Sequence, residues 1–155
     1  TFDDGTGSYG GLFDVLAKTN VVLTGIDLNI DWNTDRSAHV LVYARKGSWF
    51  GHQNNADAWP HLLVNTTLER PSAFHNRSTD GPYIPKDAKM TSAVVPRKAF
   101  TPLEMGRGET WSLYVCTSVP DFRYTLGTSI GKTFAANPEI RVMEGAGAAD
   151  YPPFL

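Results

Sequence analysis

The sequence predicts an all-β protein, an antiparallel jelly-roll-like sandwich of about eight or nine strands. Three observations predict it. Short runs of residues alternate apolar and polar side chains, the period of a strand with one buried face. Clusters of Gly, Asn, Asp and Pro break these runs at short intervals. No convincing helical stretch of about ten or more residues occurs between them.

In chain order, the first run is residues 12–17, and residues 12–18 are the one place where a short helix competes with a strand. Val22, Thr24, Ile26, Leu28 and Ile30 then fall at period two, with Leu23, Gly25, Asp27 and Asn29 between them, and predict one strand over residues 22–30. Residues 38–45 repeat the pattern, and their β-branched and aromatic content favours a strand over a helix of that length. Further runs lie at 61–68, 91–95, 110–117, 123–126 and 139–144. Between them stand Gly5-Thr6-Gly7, Asn33-Thr34-Asp35, Lys46-Gly47-Ser48, Gly106-Arg107-Gly108 and Asn137-Pro138. Residues 69–89, rich in Pro, Ser, Asp and Asn, read as a long decorated loop within a single domain spanning 1–155.

Composition narrows the function classes. The chain has 155 residues, 12% of them aromatic, enough for one domain with a filled core. A formal net charge of −2, with 14 basic residues spread rather than bunched, gives no footprint for nucleic acid or an anionic membrane surface. No apolar run of about 18 residues predicts membrane insertion. The sequence opens at Thr1-Phe2-Asp3-Asp4 with neither an initiator Met nor a signal peptide, and so reads as processed or excised. Cys116 is the single cysteine; no intramolecular disulfide staples the fold, and the thiol reads as a small buried hydrophobe.

Two Asn-x-Ser/Thr triplets, Asn65-Thr66-Thr67 and Asn76-Arg77-Ser78, are N-glycosylation acceptors, which are modified only in a secretory lumen and only where the side chain reaches solvent. They place the domain outside the cell or at its surface. Asn65 falls in a predicted strand and must therefore point outward.

A family resemblance agrees. Thr1-Phe2-Asp3-Asp4-Gly5-Thr6-Gly7 followed by Gly11-Leu12-Phe13-Asp14-Val15 resembles a recurring secreted β-sandwich domain of large multidomain surface proteins of microalgae and bacteria. So do Val42-Tyr43-Ala44-Arg45-Lys46-Gly47-Ser48 with Gly51, Asn55, Ala56 and Trp59 downstream, the block from Thr101-Pro102-Leu103 through Trp111-Ser112-Leu113-Tyr114-Val115, and Ile140-Arg141-Val142 to Gly145. The resemblance implies fold and location and supplies no catalytic residues. Two departures stand out: the loop after Glu69 looks like an insertion, and the chain stops at Tyr151-Pro152-Pro153-Phe154-Leu155, where family members usually continue into one further strand. A sandwich without that strand is expected to accept one from another copy, and a head-to-tail contact of this kind builds an open filament.

Candidate ligand sites are few. Asp27, Asn29, Asp31, Asn33 and Asp35 alternate like hard oxygen ligands, but an EF-hand loop counted from Asp27 would need Gly where Trp32 stands and Glu where Ala38 stands. The solvent face of a strand running into a polar turn is the simpler account of them. Asp3, Asp4 and Asp14 form a second candidate ion site; structural calcium is the one cofactor the sequence raises. Trp32, Trp49 and Phe50 lie in or beside predicted turns, where exposed rings can stack on sugars, whereas Trp59 and Trp111 read as core. His39, His52, His61 and His75 have no metal-ligand spacing, no nucleophile elbow is present, and no enzyme is expected. The functional expectation is an extracellular N-glycosylated structural protein, the repeating subunit of a surface fibre or matrix, whose partners are other copies of itself. A carbohydrate-binding or adhesion module with a polysaccharide partner is the alternative.

Overall fold

The computed structural model describes residues 6–32, 35–70, 93–124 and 126–154. Their strands, in chain order, are β1 (Thr6–Ser8), β2 (Gly10–Ala17), β3 (Val21–Leu23), β4 (Asp27–Leu28), β5 (Ser37–Lys46), β6 (His61–Glu69) and β7 (Ala93–Val94). These are followed by β8 (Leu103–Met105), β9 (Thr110–Thr117), β10 (Phe122–Tyr124), β11 (Thr133–Ala136), β12 (Ile140–Met143) and β13 (Ala146–Gly147). All pairings are antiparallel, and the only helical turns among the described residues are short 3₁₀ turns at Ala56–Ala58 and Arg97–Ala99. The all-β sandwich-like fold that the alternation predicts is therefore the fold observed. Its strands are more numerous and shorter than the eight or nine expected.

The strongest sequence runs build one seven-stranded sheet in the order β11-β12-β2-β9-β5-β6, with β13 also pairing β2. β9 lies in the middle, in register with β2 from Gly10↔Cys116 to Leu16↔Thr110 and with β5 from Val40↔Thr117 to Lys46↔Trp111. Residues 12–17, where a helix competed, are strand. Gly10 passes so close to β9 that an added Cβ would stand 1.8 Å from the Val115 carbonyl oxygen, and its φ of 148° is one that L side chains rarely adopt. Between β5 and β6 the register shifts, Val42 facing Val64 and Tyr43 facing Leu62, so Leu63 is the extra residue of a bulge.

The second layer is made of ribbons: β3 with β8, β4 with β7, and β1 with β10. An antiparallel bridge at Ile30↔Phe122 ties β10 to the chain just after β4, with the Asp31 N–H on the Asp121 carbonyl at 2.9 Å and the Arg123 N–H on that of Asn29 at 2.8 Å. The single strand expected over 22–30 is thus divided into β3, β4 and this bridge. The reason is visible at Gly25, where a Cβ would lie 1.7 Å from Nη1 of Arg97: the Arg97 side chain fills the space a regular strand's side chain would need.

Both faces of the centre of the large sheet are buried. On the inner face Val15, Val40, Val42, Leu113 and Val115 pack against Leu28, Ile30, Trp32, Val95, Leu103 and Met105 from the ribbons. On the outer face Leu12, Tyr114 and Cys116 pack against Trp49, Trp59 and Ala148. There the Phe154 ring meets Tyr43 and Tyr114 edge-on at centroid distances of 5.2 and 5.4 Å. Double burial explains why Thr110–Thr117 reads as a near-continuous apolar run instead of alternating cleanly.

Candidate functional site

The ribbons cover the inner faces of β9, β5 and β6 but stop short of the flank formed by β12 and β11. A groove of about 650 Å³ opens there, within the size range of ligand and peptide sites. Phe13, Ile140 and Val142 of the large sheet form its floor, and Leu23, Ile26 and Phe122 of the second layer overhang it. All six pack against the inner core yet remain only partly buried. At the mouth stand Leu126, 67% exposed, and Phe134, 48% exposed.

Three charged residues border this apolar surface: Asp27, Arg123 and Glu144. Arg123 is neutralised by Asp31, its Nη2 lying 2.5 Å from Oδ2. Glu144 accepts the Ser129 N–H at 2.7 Å and the Thr128 N–H at 2.9 Å, and these donors, Ser129 foremost, hold its carboxyl below the usual range. Among the described residues the lining contains no Ser, Thr, Cys, His or Lys. Its chemistry is that of a surface that binds apolar groups.

The residues singled out from the sequence fall elsewhere. Asn65 is exposed on β6, opposite Leu41 and therefore on the outer face of the sheet, so its side chain does point outward. The Thr67 hydroxyl of the same triplet lies 3.1 Å from Nδ1 of His39. Asn76 lies outside the described residues, as do Asp3 and Asp4.

The expectation that Trp32 and Trp49 present rings to a sugar is corrected. Trp32, 2% exposed with φ of 52°, turns into the inner core; Trp49, 5% exposed, lies in the outer one. Trp49 is drawn in by its backbone N–H, which donates to Asp14 Oδ1 at 3.1 Å. Only Phe50, 69% exposed and edge-on to Trp49 at 5.7 Å, remains at the surface.

The two candidate calcium sites lie on opposite sides of the large sheet; of the Asp3, Asp4 and Asp14 site only Asp14 is among the described residues, and of the other Asn33 is not. Asp14 lies on the outer face, where its Oδ1 also accepts the Ser112 hydroxyl at 2.8 Å, whereas Asp27 and Asp31 belong to the second layer. No group of three or more His, Cys, Asp or Glu side chains able to hold a metal occurs among the described residues.

Two features outside the groove concern stability. The Glu109 carboxylate closes the turn before β9, accepting from Lys46 Nζ at 2.8 Å and from Trp111 Nε1 and the Gly106 N–H at 2.9 Å each. These donors, Lys46 first, bring its pKa down to about 2. Cys116 is fully buried on the outer face, and burial pushes its thiol up to about 12, as befits a packing residue.

No helix among the described residues is long and apolar enough to cross a membrane. No protein-family model matches the chain, and comparisons with curated proteins and with solved structures return no match. The likeness to surface β-sandwich repeats accordingly rests on sequence motifs alone. The groove itself left no signal in the sequence: among the described residues no strand covers it, and no residue pattern marks it.

Proposed function

We propose that this chain is an extracellular, N-glycosylated structural protein, the repeating unit of a surface fibre or matrix, whose copies join through the open flank of the sandwich. The observation that carries this reading is the apolar groove beside β11. Contiguous exposed apolar surface on an otherwise closed sandwich is costly to leave in water and marks a contact surface.

The two edges of the large sheet support it by their difference. β6 is partly covered, the Thr101 N–H donating to the Leu63 carbonyl at 2.8 Å and Phe100 bridging Val64, and it carries the exposed acceptor Asn65. A glycan there would hydrate that edge and hinder pairing along it. β11 has four exposed residues, Thr-Phe-Ala-Ala, none of them charged. A net charge of −2 adds little self-repulsion. The polysaccharide reading loses two of its three contact residues, Trp32 and Trp49, to the core.

Sedimentation velocity over a wide concentration range tests association: oligomers that lengthen with concentration are expected, and a monomer throughout overturns the structural reading. Intact mass of the native material tests the modification. A mass above that of the polypeptide by whole glycans is expected, and the bare mass overturns the glycoprotein assignment.

A further inference from the structure

We propose that the groove of one copy receives Phe50 of the next, so that the contact between copies is a knob in a groove and runs head to tail. This rests on the reading that copies associate through the open flank, and it names the surface that enters it. Phe50 has the highest exposure among the large apolar side chains described. It stands on a short turn directly after β5, on the outer side of the sheet, where its neighbour Trp49 is anchored in the outer core. The groove opens on the inner side.

The turn that presents Phe50 is held in place before any contact forms. Its Trp49 carbonyl accepts the His52 N–H at 2.9 Å, the Phe50 N–H meets Ser48 Oγ at 3.3 Å, and the Arg45 side chain donates to the carbonyls of Ser48 and Ala58. A side chain already ordered loses little further entropy on docking. The receiving surface offers ring edges and faces from Phe13, Phe122 and Phe134, the geometry in which aromatic groups attract beyond their buried area.

Charge agrees with this pairing. Residues 45–52 carry Arg45 and Lys46, the latter paired with Glu109, and no carboxylate, while among the described residues the groove's lining carries Asp27 and Glu144 and its one cation, Arg123, is paired with Asp31. A knob and a groove on opposite faces cannot satisfy each other within a two-fold pair. The contact is heterologous and propagates unless the rotation closes.

Two exposed substitutions separate the halves of the contact: Phe50→Ser removes the knob, and Phe134→Asp places a charge in the groove. Thermal melts check that each folds, and Leu126→Asp replaces the second variant if Phe134→Asp melts early. Phe50→Ser is expected to weaken association by roughly 10- to 100-fold, the loss of one buried aromatic side chain. Each variant alone should stay monomeric, and their equal mixture should form one-to-one pairs and nothing longer, because each supplies the half the other lacks. Assembly of Phe50→Ser like wild type overturns the knob while leaving flank association standing; a mixture that forms no pairs does the same. A wild type that stays monomeric, or whose native mass spectrum shows a small apolar molecule in place of a second copy, overturns both.

Discussion

The two halves of the seven-stranded sheet are built by one rule and finished differently. On β5 and β9 the inner side chains Val40, Val42, Ala44 and Val115 are sealed from water, whereas on β12 and β11 Ile140 and Val142 are half-buried and all of Thr133–Ala136 is exposed. Alternation decides that a strand forms and which way its side chains point. The width of the layer above decides whether those side chains are buried.

The largest expected effect breaks or upholds this difference directly. Val42→Asp places an unpaired charge in the sealed half and should cost several kcal/mol, a large part of the roughly 5–15 kcal/mol that holds a domain together. Phe134→Asp, on the open half, should cost under about 1 kcal/mol. Urea denaturation of both variants measures the two losses. Equal losses would mean that the flank is as closed as the centre.

The same division governs how much could be read from the sequence. The long strands β2, β5, β6 and β9 were legible because their apolar and β-branched runs extend over eight or more positions, alternating cleanly in β5 and near-continuous in β9. The ribbons were legible only in part: β4 and β7 fall inside the runs read at 22–30 and 91–95, whereas β8 was not read, since strands of two or three residues owe their bounds to partners distant in the chain. Trp32 and Trp49 illustrate the limit: a turn-like neighbourhood suggests an exposed ring, yet a positive φ at Trp32 and a carboxylate acceptor for the Trp49 N–H turn both inward. Asn65 was legible as an acceptor triplet, and its outward direction follows from pairing with Leu41. Nothing in the order of residues announces the groove.

A second pair of variants sharpens the contrast at lower amplitude. Glu109 on the sealed half and Glu144 on the open flank both have folded-state pKa values below the unfolded value, so each contributes stability that is complete above the usual carboxylate range and disappears as pH falls. For Glu109 the window runs from about 4.5 down to about 2. Glu109→Gln should lower the melting temperature at neutral pH, leave it unchanged near the acid end of that window, and flatten the curve between. Glu144→Gln has the same sign but should act locally, speeding hydrogen exchange at the Thr128 and Ser129 amides beside the groove. Melting curves against pH for both variants, with exchange followed by NMR, decide it; a flat difference for Glu109→Gln would remove the Lys46 clasp from the account.

The smallest effect asks whether the two faces of the sheet open independently. Cys116 sits under the outer cover, its thiol protonated at pH 8 because burial raises its pKa to about 12, so a thiol reagent can reach it only when that cover lifts. Phe154 closes the cover through its edge-on contacts with Tyr43 and Tyr114. Phe154→Ala removes both ring pairs, about 1–2 kcal/mol together, and should speed labelling of the native protein by roughly 5- to 30-fold. Phe134→Asp alters only the inner flank and should leave the labelling rate as it is. If Phe134→Asp accelerated labelling as much as Phe154→Ala, a disturbance at the groove would be lifting the opposite face. The groove could then not be filled without loosening the Trp49 anchor that presents Phe50, and knob and groove on one copy would be coupled instead of acting as separate halves of the contact.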